Sequence, residues 1–133
     1  MSSHPRAIVI DASSMTALLL DAEAGEHERA SGSQLIAPSV LPYEVANVLR
    51  RLTLAGRLSM ADADQAFADF TTLAVELWDW ATLAARTWSL RANLSTYDAA
   101  YVALAELADA TLITRDARLA RAPGLRCPVE VFD

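Results

Sequence analysis

Lysine is absent from the 133 residues, so all eleven basic side chains are arginine. That excludes Schiff-base catalysis and a phosphate-loop lysine. Glycine is scarce: Gly25, Gly32, Gly56 and Gly124 are too scattered to build a phosphate-cradling loop or a dinucleotide fingerprint. Cys127 is the only cysteine, which rules out an intrachain disulfide and a cysteine-based zinc site. Of the two histidines, His4 falls in an expected tail and His27 in an expected loop, leaving no partner for a serine nucleophile of the triad kind. No apolar run approaches the roughly 18 residues of a membrane span, and the opening MSSHPRAIVID lacks the long apolar region of a secretory signal. A cytoplasmic protein is expected, and any chemistry it performs must rest on carboxylates.

With 53% hydrophobic residues, a chain of this length can bury a real core, and one domain over residues 1–133 is expected. Short apolar runs alternate with longer helical periods. AIVID, ending at Asp11, reads as a buried strand, followed by a helix in SSMTALLLDAE. The polar stretch from Gly25 to Ser33 reads as a loop or frayed turn. LIAP, from Leu35 to Pro38, is a second strand. Val40 to Ala55 is a helix, with Pro42 tolerable in its first turn and Gly56 ready to end it. Ser59 opens the next helix, with Asp62 three residues on as in a capping box. AVELW is a third strand, a helix runs from about Ala81 to Ala92, and an alanine-rich helix follows Tyr97. TLIT, a short helix in RDARLARA, and the strand VEVF complete the pattern. Such alternation predicts an α/β fold: a three-layer sandwich with a central, mainly parallel sheet of about five strands flanked by helices.

Ligands of such folds bind at the carboxyl ends of the strands, and four acids fall there. Asp11 ends the first strand, Glu44 lies in the first turn of the helix after the second, Asp98 begins the alanine-rich helix, and Asp116 lies two residues beyond TLIT. Taken alone, Asp98 is equally a first-turn aspartate, with Ser95 as cap and the helix dipole as partner. The other thirteen acids, Asp21, Glu26, Asp64 and Asp109 among them, read as solubilising charge. Four carboxylates on one rim repel one another strongly, and a divalent cation is the usual reason to tolerate them. All-oxygen ligands favour Mg2+, with Mn2+ possible, over zinc.

The ordered set VIDAS, PYEVANVL, YDAAYVALA and LITRD resembles the PIN-domain ribonucleases, and within them the VapC toxins of toxin–antitoxin pairs. The likeness runs from about Ile8 to the terminal VEVF. It implies that Asp11, Glu44, Asp98 and Asp116 form a catalytic metal site, with Thr114 as a hydroxyl beside it. Asn47, one turn after Glu44, is either a hydrogen-bond partner of a ligand carboxylate or a helix-packing residue. The resemblance further implies Mg2+- or Mn2+-dependent hydrolysis of RNA, a homodimer or toxin–antitoxin heteromer, and inhibition by a VapB-type antitoxin laid along an apolar groove.

The net charge of −6 opposes RNA binding, but the four site carboxylates account for most of it, and bound metal offsets them. Arg50, Arg51, Arg115, Arg118 and Arg121 are candidates to steer phosphates, each with solvated-face charge as the simpler reading. Of Trp78, Trp80 and Trp88, at least two are expected in the core or a dimer face, and an exposed one is a candidate antitoxin anchor. The alternative function is a catalytically silent module of the same fold that binds RNA or protein. A haloacid-type phosphatase is disfavoured because DAS lacks a second aspartate two residues after Asp11, and a receiver domain because lysine is missing.

Overall fold

A computed structural model describes residues 6–133, so His4 lies outside the described residues. The chain runs β1 (Ala7–Ile10), α1 (Ala12–Leu20), α2 (Glu26–Ala30), β2 (Gln34–Pro38), α3 (Leu41–Leu54), α4 (Met60–Thr72), β3 (Val75–Trp78), α5 (Trp80–Ser89), α6 (Thr96–Leu107), β4 (Thr111–Thr114), α7 (Ala117–Ala120) and β5 (Val129–Val131). The strands form one sheet in the order β3-β2-β1-β4-β5, every neighbouring pair parallel. The expected α/β sandwich is therefore present, with a sheet wholly rather than mainly parallel.

Local chemistry explains most boundaries. Asp11, Ser59, Asp79, Ser95 and Asp116 each cap a helix by accepting a backbone N–H from its first turn. Gly56, at φ 70°, lies just past the end of α3, in the left-handed region where glycine carries no steric penalty. The stretch from Gly25 to Ser33, expected as loop, contains the one-and-a-half-turn helix α2. No apolar periodicity marks it, because its fixed point is a tertiary ion pair described below.

The three inner strands β2, β1 and β4 are almost entirely buried, as parallel strands covered on both faces require. In α6 every residue from Ala99 to Ala105 is buried. Its alanines let the helix lie close against β1, β2 and β4. Right-handed crossovers put α1 to α4 on one face of the sheet and α5 to α7 on the other, in keeping with the packing of α1 on α3 and α4 and of α5 on α6. The chain leaves β1 toward one edge and returns after β3 to the other side of β1. The topological switch point thus falls between β1 and β4, where this architecture leaves a crevice at the carboxyl ends.

Candidate active site

Asp11 follows the last residue of β1 directly, at the switch point, and is nearly buried. Its Oδ1 accepts the Ser14 N–H at 3.0 Å and the Ser13 hydroxyl at 2.7 Å, and its Oδ2 accepts the Thr114 hydroxyl from the end of β4. Three donors use most of the roughly four lone-pair sites of a carboxylate, so Asp11 has room for about one further partner. Burial raises its pKa; the three hydrogen bonds oppose this, and the charge of Asp98 adds to it. Thr114, wholly buried, also accepts the Asp116 N–H at 3.0 Å. It thereby links the segments that follow β1 and β4.

Glu44 is half-buried in the first turn of α3, where its Oε1 accepts the Tyr101 hydroxyl at 2.6 Å. Burial raises its pKa, the Tyr101 bond opposes, and Asp98 and Asp11 push it up further. Asp98 is also half-buried, and burial followed by the charge of Asp116 raises it, against the Ser95 hydroxyl and Arg118. Capping of α6 belongs to Ser95, which accepts the Asp98 backbone N–H at 3.2 Å. Asp116 differs from the other three. Arg118 donates to both its oxygens, at 3.1 and 3.0 Å, and holds its carboxyl below the ordinary range.

The fold thus brings Asp11, Glu44 and Asp98 within electrostatic reach of one another and Asp116 within reach of Asp98, three of the four short of positive charge and one already offset by arginine. Among the described residues no three carboxylate, histidine or cysteine side chains gather into a ready-made ion cage. A pair is nevertheless enough for magnesium, which usually binds through one or two carboxylates and keeps waters or substrate phosphate in its remaining positions. The donor set is all oxygen, and Asp11, with one position to spare, faces the charge of Asp98. These residues fit a hard divalent cation.

Several sequence expectations change here. Asn47 is exposed, and no hydrogen bond joins it to Glu44 among the described residues; the partner of Glu44 is Tyr101, on another helix. Arg115 is not free to steer phosphate. Its guanidinium forms a two-pronged pair with Glu26, Nε at 2.7 Å and Nη2 at 2.8 Å. Glu26, read as solubilising charge, is 0% exposed. Its Arg115 bonds outweigh the burial that works to raise its pKa and hold it low. Arg50, Arg51 and Arg121 remain exposed. Of the tryptophans only Trp78 packs against the core, while Trp80 and Trp88 are exposed on this chain, Trp88 beneath the Arg91 guanidinium at 4.6 Å.

Ser13, Tyr101 and Glu26 are the residues sequence reading passed over. Ser13, two places after Asp11, donates to that carboxylate and accepts the Arg115 N–H at 3.0 Å. The available signal for Tyr101 is a phenol set within the apolar run Ala99–Ala105, since a buried tyrosine hydroxyl needs a partner. Nothing local marked Glu26.

The PIN domain family model matches residues 8–125. The VapC ribonuclease Mb0985 of Mycobacterium bovis is 41% identical over 125 residues, 93% of this chain and 97% of that protein. Among solved structures, PAE2754 from Pyrobaculum aerophilum superposes with TM-score 0.69 at 21% identity, covering 95% of this chain and 84% of that one. VapBC2 from Rickettsia felis, bound to a DNA fragment from its promoter, gives TM-score 0.65 at 15% identity, covering 96% and 99%. At those identities the two structures speak for the fold, and the sequence match speaks for the family. The chain belongs to the PIN-domain family, among the VapC ribonucleases.

Proposed function

We propose that this chain is an endoribonuclease dependent on Mg2+ or Mn2+, the toxin of a type II toxin–antitoxin pair. The observation that carries the reading is the set of four acids on the carboxyl rim of the sheet, Asp11, Glu44, Asp98 and Asp116, three of them with raised pKa values, in a chain 41% identical to a VapC ribonuclease. Asp11 and Asp98 would hold the metal, with Glu44 and Asp116 beside them as further ligands or as the group that orients water. When bound, such an ion offsets charge on the scissile phosphate and lowers the pKa of water. The protein's own part is positioning. Ser13, Ser14 and Thr114 fix the Asp11 carboxylate, Tyr101 fixes Glu44, and the Arg115–Glu26 pair anchors the loop that carries Asp116.

The VapC relatives and the likeness to a VapBC structure support a VapB-type antitoxin as partner. Exposed Leu54, Met60 and Phe67 on α3 and α4 offer apolar surface for a protein contact, whether antitoxin or second copy, and exposed Trp88 is a candidate anchor. A homodimer, acting in the cytoplasm, belongs to the same reading. No helix among the described residues is long and apolar enough to cross a membrane.

Purified protein should cut RNA when Mg2+ or Mn2+ is added and stop on chelation. Unchanged cleavage by carefully chelated protein refutes the mechanism. Binding without cleavage of any of several RNAs, with metal bound, favours the silent module instead. Co-expression with the product of the adjacent reading frame should suppress toxicity.

A further inference from the structure

A second feature shares the carboxyl rim with the acids. A pocket of about 310 Å3 opens between the starts of α3, α5 and α6 and the end of β3. Two of its walls are the chain neighbours of the acids: Tyr43 precedes Glu44, and Tyr97 precedes Asp98. Tyr43 is 78% exposed, Tyr97 58% and Trp80, the third wall, 56%. Single apolar side chains at a surface are ordinary, but three large aromatics around one concavity mark a binding surface.

The lining specifies the ligand. No charged side chain contributes to it, so a phosphate or carboxylate has no partner there. The lining side chains that carry polar atoms are Ser39, Thr96, Tyr43 and Tyr97, with hydroxyls, and Trp80 and Trp78, with indole N–H groups, that of Trp78 being closed to solvent. The size is at the small end of the about 300–1,000 Å3 range of small-molecule pockets. A flat, uncharged heterocycle with acceptors on its edge and a π face matches all three properties. Single-stranded RNA presents that shape in an unstacked base, which proteins hold between aromatic side chains. Charge divides the rim in the same way as a nucleotide: the phosphate belongs with the carboxylates and their cation, the base with the aromatics.

We infer that this pocket receives one unstacked nucleobase adjacent to the scissile phosphate, held between Trp80, Tyr97 and Tyr43, and so helps decide where the RNA is cut. The inference rests on the proposed ribonuclease function and adds the position at which sequence is read. Stacking of one base corresponds to about 5- to 150-fold in affinity.

The test compares parent, Trp80→Ala, Trp80→Phe and Tyr97→Ala. A pool of RNA hairpins with randomised loops is cut in Mg2+ and the ends are sequenced. The parent should show a base preference at one position flanking the cut. Both alanine variants should lose it, with cleavage efficiency down about 5- to 150-fold and an unchanged Mg2+-induced shift in melting, while Trp80→Phe retains the preference. An RNA made abasic at that position should cost the parent the same factor and Trp80→Ala little more. A second readout does not need cleavage: in chelator, uncut single-stranded RNA should quench the parent's tryptophan fluorescence, and the quench should be lost in Trp80→Ala. Lack of cleavage by the parent sinks the proposed activity, and the quench then decides the pocket alone. Undiminished quench in Trp80→Ala overturns the inference, as does cleavage with unaltered preference in both alanine variants. A fall from dimer to monomer mass in Trp80→Ala makes the face a contact between copies, and loss of antitoxin binding with cleavage intact makes it an antitoxin site; either result also overturns it.

Discussion

Replacing Glu26 by glutamine removes one charge from the most buried ion pair among the described residues. The Glu26 side chain has no exposure and that of Arg115 retains 27%, and the two parallel bonds are 2.7 and 2.8 Å long. Breaking a buried pair by removing one partner costs about 3–5 kcal/mol. Glutamine keeps one acceptor oxygen and Arg115 keeps some water, so the cost falls at or just below the lower end of that range, about 2–3 kcal/mol. For a domain of this size that is a fall in melting temperature of roughly 10 °C. The pH dependence has a definite sign. Arg115 holds Glu26 below its ordinary pKa in the fold. Its contribution is therefore complete above the unfolded value of about 4.3 and is lost as pH falls through the folded value. Thermal melts without metal should show a constant gap between parent and Glu26→Gln from pH 7 to about 5, narrowing below about 4. A gap under about 0.5 kcal/mol at pH 7, the range of ordinary surface substitutions, refutes the assignment of Glu26 as a buried clamp and returns it to the solvated face.

Asp98→Asn should leave metal-free stability equal or higher, because crowding and burial disfavour the charge while Ser95 still caps α6. The same substitution should abolish cleavage and most of the stabilisation by metal, about 2.7 kcal/mol in the parent at a hundred times the dissociation constant. A variant that responds to metal and cuts like the parent makes Asp98 an ordinary first-turn aspartate. Tyr101→Phe frees Glu44 from its 2.6 Å hydrogen bond. It should lower kcat by about tenfold or more while costing about 1 kcal/mol of stability, and unchanged kcat removes Tyr101 from the positioning of Glu44.

Periodicity and punctuation made most of the fold legible. The alternation of apolar runs with capped helical stretches names strands and helices because both signals are local: a side chain every second or every third to fourth residue facing a core, and a serine or aspartate whose oxygen meets the N–H three places on. The four acids were legible for a related reason, since each flanks an apolar stretch at a strand end or helix start, where a charge is costly unless something meets it. Which groups meet those charges was decided by topology. Thr114 reaches Asp11 across 103 positions, Tyr101 reaches Glu44 across 57, and Arg115 reaches Glu26 across 89. No pattern near Glu26 distinguishes it from the exposed Glu28 two residues later, and no pattern near Trp80 shows that it stands beside Tyr43 and Tyr97. The sequence by itself therefore determined the elements and where charge concentrates, through interactions spanning a turn or less. The tertiary structure alone decided the partners, because only the return of the chain to the far side of β1 brings residues so distant in sequence to one rim.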